Sequence, residues 1–86
     1  MKPILNIRKP ILDRRELFAV LSEARTAMIT EAHRRARNGH GTATEIRLAE
    51  ADADRCAFKM SQRCMRVHTF DEAMAIVKEY VDVNIV

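Results

Sequence analysis

EAHRRARNGHGTATE, running from Glu31 to Glu45, holds the signals both for the end of one helix and for the start of the next. It holds the only two glycines of the chain, Gly39 and Gly41, and glycine tolerates the left-handed backbone at a helix end. Gly39 is therefore expected to supply the left-handed residue that stops one helix. Thr42-Ala43-Thr44-Glu45 follows at once in the T-x-x-E form of a capping box. There the Thr hydroxyl accepts from the Glu backbone N–H, and the Glu side chain reaches back to the Thr N–H. One helix ends and another begins across a short connection, which predicts an antiparallel helical hairpin.

Working outward, Asp13 is a plausible N-cap with Glu16 three residues on, and nothing from there to Asn38 breaks a helix. The first helix is expected over about 13–38 and the second over about 43–67. Thr69-Phe70-Asp71-Glu72 repeats the capping-box form, so a third, shorter helix is expected over about 70–81. Pro3 and Pro10 bracket Leu5 and Ile7, so residues 1–11 read as an extended arm or edge strand. The β-branched tail, residues 82–86, reads as a second short extended segment able to pair with that arm. The fold class is all-α apart from these two ends.

Composition supports this outline. The 86 residues suffice for a single domain with a modest core, and 48% hydrophobic against 31% charged residues is globular rather than disordered. Phe18, Phe58, Phe70 and Tyr80 are the only aromatics, so Leu, Ile, Val, Met and Ala must fill the core. No run approaches the roughly 18 apolar residues of a membrane span, and no signal-peptide pattern is expected. Cys56 and Cys64 fall in a helical pattern, which points to a reduced, cytoplasmic setting.

At about 100° per residue the helices declare their faces. Leu17, Leu21, Ala24, Met28 and Ala32 form one stripe. Phe18 and Ile29 widen it on one flank, Val20 and Ala27 on the other. That arc is roughly twice what one neighbour needs, so Phe18, Val20, Ala27 and Ile29 are candidates for self-association into a dimeric bundle. The second helix carries Ile46, Ala49, Ala53, Cys56, Ala57, Met60, Cys64 and Val67 in front and Ala51, Phe58 and Met65 behind. It is expected to be sandwiched, with the third helix covering Met65 and Phe58 but not Ala51.

Charge is uneven. Met1 to Gly41 holds nine Lys/Arg and four acids, and Thr42 to Val86 six and eight. A basic half invites a polyanion, yet it equally fits pairing between halves. A hairpin turning at His40 would set Arg34 and Arg35 opposite Glu45, Glu50 and Asp52. It would likewise set Glu23 opposite Arg55 and Lys59, and Glu16 opposite Arg63 and Arg66. Arg37 is the cation least explained this way. Arg34, Arg37, His40 and Arg47 remain a candidate nucleic-acid contact, although no aromatic interleaving, zinc-finger spacing or RNA-binding signature accompanies them.

Little else points to chemistry. Cys56, Met60, Cys64 and His68 follow one another at i, i+4 and are soft or borderline ligand types, but a line along one helix needs facing ligands to close a tetrahedron. They read as core positions, and no metal or other cofactor is expected. Cys64 with His68 is the only thiol–imidazole pair close in sequence, and a core-facing thiol is a poor nucleophile. His33 and His40 are expected to be solvated. The expected function is a non-catalytic protein-interaction module: a regulator, adaptor or inhibitor binding a protein partner. Such small helical binders are unsurprising among phage or plasmid accessory proteins. The candidate partner surfaces are the Ala51–Phe58–Met65 stripe and the basic tip, and the alternative is a nucleic-acid-binding regulator.

Overall fold

The computed structural model describes residues 13–39 and 41–85. Among them are three helices and no strand: α1 (Arg14–Gly39), α2 (Ala43–Cys64) and α3 (Phe70–Asn84). The expected extended arm, its pairing with the tail and the placement of His40 lie outside the described residues.

Local chemistry sets each boundary. Asp13 caps α1, its carboxylate accepting from the backbone N–H of Arg15 at 2.9 Å and of Glu16 at 3.4 Å. Both capping boxes form in full, Thr42 with Glu45 and Thr69 with Glu72. At the α1 end the expected residue is displaced by two. Gly39 stays in the helix, and Gly41 carries the left-handed φ of +75°. Its N–H donates to the Ala36 carbonyl at 3.0 Å, a six-residue closure of the kind that satisfies a helix's last carbonyls. A Cβ on Gly41 would stand 3.2 Å from the Arg37 carbonyl oxygen, whereas one on Gly39 meets nothing.

Two other boundaries differ from expectation. Helix α2 stops at Cys64 rather than near Val67, which leaves a short turn before the Thr69 cap. Helix α3 runs on to Asn84, so the tail to that point is helical rather than extended. Val81, Val83 and Ile85 are β-branched, but β-branching costs a helix only a few tenths of a kcal/mol per residue. Val81 and Ile85 pack on the core, and that packing decides the outcome.

The core is one seam to which all three helices contribute: Leu17, Leu21, Ala24 and Met28 from α1, Ala53, Ala57, Met60 and Cys64 from α2, and Ala73 and Val77 from α3. No polar or charged residue is buried among the described residues. Cross-links between α1 and α2 fall in reversed chain order: Arg14 to Met65, Arg25 to Asp54, His33 to Glu50. Helix α3 lies along both. Its first turn sits by Cys64, whose thiol donates to the Ala73 carbonyl, and its last by Arg35, which donates to the Ile85 carbonyl. Arg63 links to Glu79 at 3.1 Å and lies over the Tyr80 ring.

This placement corrects the expected sandwich. Helix α3 does not cover Phe58 and Met65; it joins α1 on the front stripe of α2. The broad apolar arc of α1 explains why. One part meets α2 and another meets α3, so neighbours within the chain take up Val20 and Ile29, while Phe18 and Ala27 stay exposed.

Two consequences are measurable by urea unfolding. Gly41→Ala should cost about 1–2 kcal/mol, since a side chain is forced left-handed, while Gly39→Ala should be neutral or stabilising. Met60→Ala should cost about 2–5 kcal/mol and Phe58→Ala under about 1 kcal/mol. Equal losses at Met60 and Phe58 would show that α3 covers the back stripe after all.

Candidate interaction surface

The outward face of α2 follows from its inward one. Ala53, Ala57, Met60 and Cys64 point into the seam, and the residues on the opposite side are left to solvent. Ala51, Phe58 and Met65 are all exposed, Phe58 at 63% and Met65 at 56%. Seven-residue spacing sets them about 10.5 Å apart. Phe18 of α1, 72% exposed, lines a shallow cleft with Met65, Leu17, Leu21 and Arg14. A second cleft beside Phe58 is bordered by Arg25, Asp54 and Ser61, with Arg25 Nε donating to Asp54 Oδ1 at 2.6 Å. Asp52 pairs with Arg55 along the helix. The surface is thus an apolar ridge flanked by ion pairs.

Leu48, 61% exposed on the flank of this ridge, escaped the sequence reading. Its signal was a leucine off the front stripe, three residues before Ala51. The four positions expected to mediate self-association separate. Val20 and Ile29 are half-buried against the core, and Ala27 is exposed without joining the ridge; Phe18 alone belongs to it.

At the basic tip, Glu31 holds Arg34 and Arg35 on its own helix, at i+3 and i+4. The expected partners across the turn are therefore not used. A neighbour one turn away needs less side-chain ordering than one on another helix. Glu23 and Glu16 likewise make no ion pair with α2 among the described residues, where Arg25–Asp54 and His33–Glu50 are the ion pairs between α1 and α2. His33 is not simply solvated: its Nδ1 lies 2.7 Å from Glu50 Oε2 in a half-buried pair. Arg37 and Arg47 are exposed and make no salt bridge among the described residues.

The Cys56–Met60–Cys64–His68 line does not form a site. Met60 and Cys64 are fully buried, Cys56 is half-buried and His68 lies on the exposed turn. Among the described residues no three His, Cys, Asp or Glu side chains are gathered closely enough to hold a metal ion. Burial pushes the Cys64 thiol up, with Arg63 acting weakly the other way. The hydrogen-bond partner of that thiol is the Ala73 carbonyl and not the His68 ring. None of the described helices is long and apolar enough to cross a membrane.

No protein-family model matches the chain, and no curated protein or solved structure matches it significantly.

The tip yields a pH prediction. The hydrogen bond from Arg34 comes first in holding the Glu31 carboxyl below its ordinary value; burial opposes it, and the Arg35 hydrogen bond and the charges of both arginines act with it. A depressed folded-state pKa contributes stability that is present above the unfolded value of about 4.3 and is lost as pH falls through the folded one. Glu31→Gln should therefore flatten the fall in melting temperature as the pH drops below the unfolded value of about 4.3, measured by circular dichroism. An unchanged slope would show that the Arg34–Glu31–Arg35 cluster does not persist in solution.

Proposed function

We propose that this chain is a small, non-catalytic protein-interaction module: a regulator, adaptor or inhibitor that docks through the outward ridge of α2 and the adjoining Phe18. In this reading α1 and α2 form an antiparallel hairpin, supported by the reversed order of Arg14–Met65, Arg25–Asp54 and His33–Glu50. The observation that carries it is the exposure of Phe18, Phe58 and Met65 on one side of a domain whose third helix sits on the other. Scattered exposed leucines are ordinary. Two phenylalanines and a methionine exposed on one side, Phe18 and Met65 sharing a cleft, and bordered by ion pairs, have the apolar core and polar rim of a docking surface. Aromatic and Met side chains are also the types enriched there. A cytoplasmic setting belongs to the same proposal, supported by two cysteines present as free thiols.

A second reading, nucleic-acid binding at the tip, draws on Arg37 and Arg47, whose charges are not used within the described fold. It is the weaker of the two, because Arg34 and Arg35 are already neutralised by Glu31.

A photo-crosslinking residue at position 58, in the intact chain in cells, tests the preferred reading. A discrete protein adduct should form from position 58 and not from exposed Glu23, and Met65→Asp should abolish it. Absence of any adduct at 58 would contradict the proposal. Strong 260 nm absorbance in the purified protein, removed by salt and by joint Arg37→Glu and Arg47→Glu, would put the tip in its place.

A further inference from the structure

Helix α2 is complementary to itself when reversed. Along its outward face Thr44, Ala51, Phe58 and Met65 recur every seven residues, small in the first half and large in the second. Arg47 apart, charge has the same polarity: Glu45, Glu50, Asp52 and Asp54 come first, then Arg55, Lys59, Arg63 and Arg66. We propose that this face is covered by a second copy of the chain, the two α2 helices running in opposite directions about a two-fold axis near Asp54 and Arg55. The inference rests on the reading that the ridge is an interface, and it names the occupant.

The register follows from size. With the axis there, Ala51 of one copy faces Phe58 of the other, and Thr44 faces Met65. Every large ridge residue then meets a small one, and both pairings occur twice because the contact is isologous. A two-fold axis across the helices brings each flank against the same flank of the other copy. Asp52, Arg55 and Lys59 share one flank at 100° per residue. The reversed copy therefore sets Asp52 beside Arg55 and Lys59 of its neighbour, on both sides of the axis. Asp52 and Arg55, already paired within each helix, become a four-membered cluster. A parallel arrangement would do the opposite, stacking Phe58 on Phe58 and acid on acid. Phe18, beside Met65 in one cleft, extends the apolar contact at both ends of the seam.

The acids and cations give orientation more than strength, since exposed pairs contribute only about 0–1 kcal/mol each. Affinity comes from Phe58 and Met65 leaving water. Both are exposed within one copy, so changing them leaves the three-helix core intact.

Size-exclusion chromatography with light scattering, over a concentration series of the full chain, tests the proposal. The wild type should dimerise. Phe58→Ala should weaken the dimer about tenfold or more by leaving two gaps, and Ala51→Phe comparably by forcing Phe against Phe. The double swap Ala51→Phe/Phe58→Ala should restore the dimer to within about threefold of wild type, because large again meets small. Circular dichroism and thermal unfolding of each variant check that the helices persist. A wild type monomeric up to about 1 mM, a dimer indifferent to the single changes, or a double swap as weak as the singles would each overturn the proposal. If the wild type is monomeric while position 58 still crosslinks to another protein, the second copy is the wrong occupant and the interface reading survives. If neither association occurs, both fail.

Discussion

Everything in this domain depends on close approach of three helices along a single apolar seam. Ala24, Ala53, Ala57 and Ala73 keep the backbones near one another, and Leu17, Met28, Met60 and Cys64 fill what remains. A chain of this size has little apolar area to spare, so a seam shared by three elements is worth more than two separate faces. Sharing it has a cost. The core is concentrated on one side of α2, and the apolar residues on its other side, Phe58 and Met65, stay largely exposed.

The polar surface is secondary to that arrangement. Its ion pairs are exposed and mostly local: Glu31 to its two arginines, Asp52 to Arg55, Lys78 to Asp82. They fix little energetically, but they neutralise charges that the sequence alone leaves ambiguous. Much of the basic tip is spent this way. The ridge, by contrast, is the part of the surface whose composition has no internal use.

What was legible in the sequence is what short-range chemistry decides. Thr42–Glu45 and Thr69–Glu72 act over one turn, so both caps and both helix starts could be read directly. The front stripes of α1 and α2 were legible for the same reason, since 3.6-residue periodicity declares which side chains share a face. Periodicity does not say which face meets which. It leaves Phe58 and Met65 open to cover by a third helix, with Ala51 uncovered, and leaves the wide arc of α1 open to a second copy. Both readings follow from placing α3 behind α2. The choice between the two sides of α2 depends on how Cys64, Ala73 and Val77 fit together, a matter of three-dimensional packing with no local signature. Charge pairing divides the same way: Glu31 with Arg35 at i, i+4 is legible from spacing, whereas Arg34 also turns to Glu31 and not across the hairpin.

Methionine oxidation by dilute peroxide, read by mass spectrometry across a range of protein concentrations, distinguishes a third helix in front of α2 from one behind it. Thioether sulfur reacts when it is reached by solvent, and the chain carries Met28 and Met60 in the seam and Met65 on the ridge. The account requires Met28 and Met60 to be protected throughout. Met65 should oxidise readily in dilute solution and slow as concentration rises and the ridge becomes covered. Protection of Met65 equal to that of Met60 in dilute solution would mean that α3 lies behind α2, and the account would be wrong at its root.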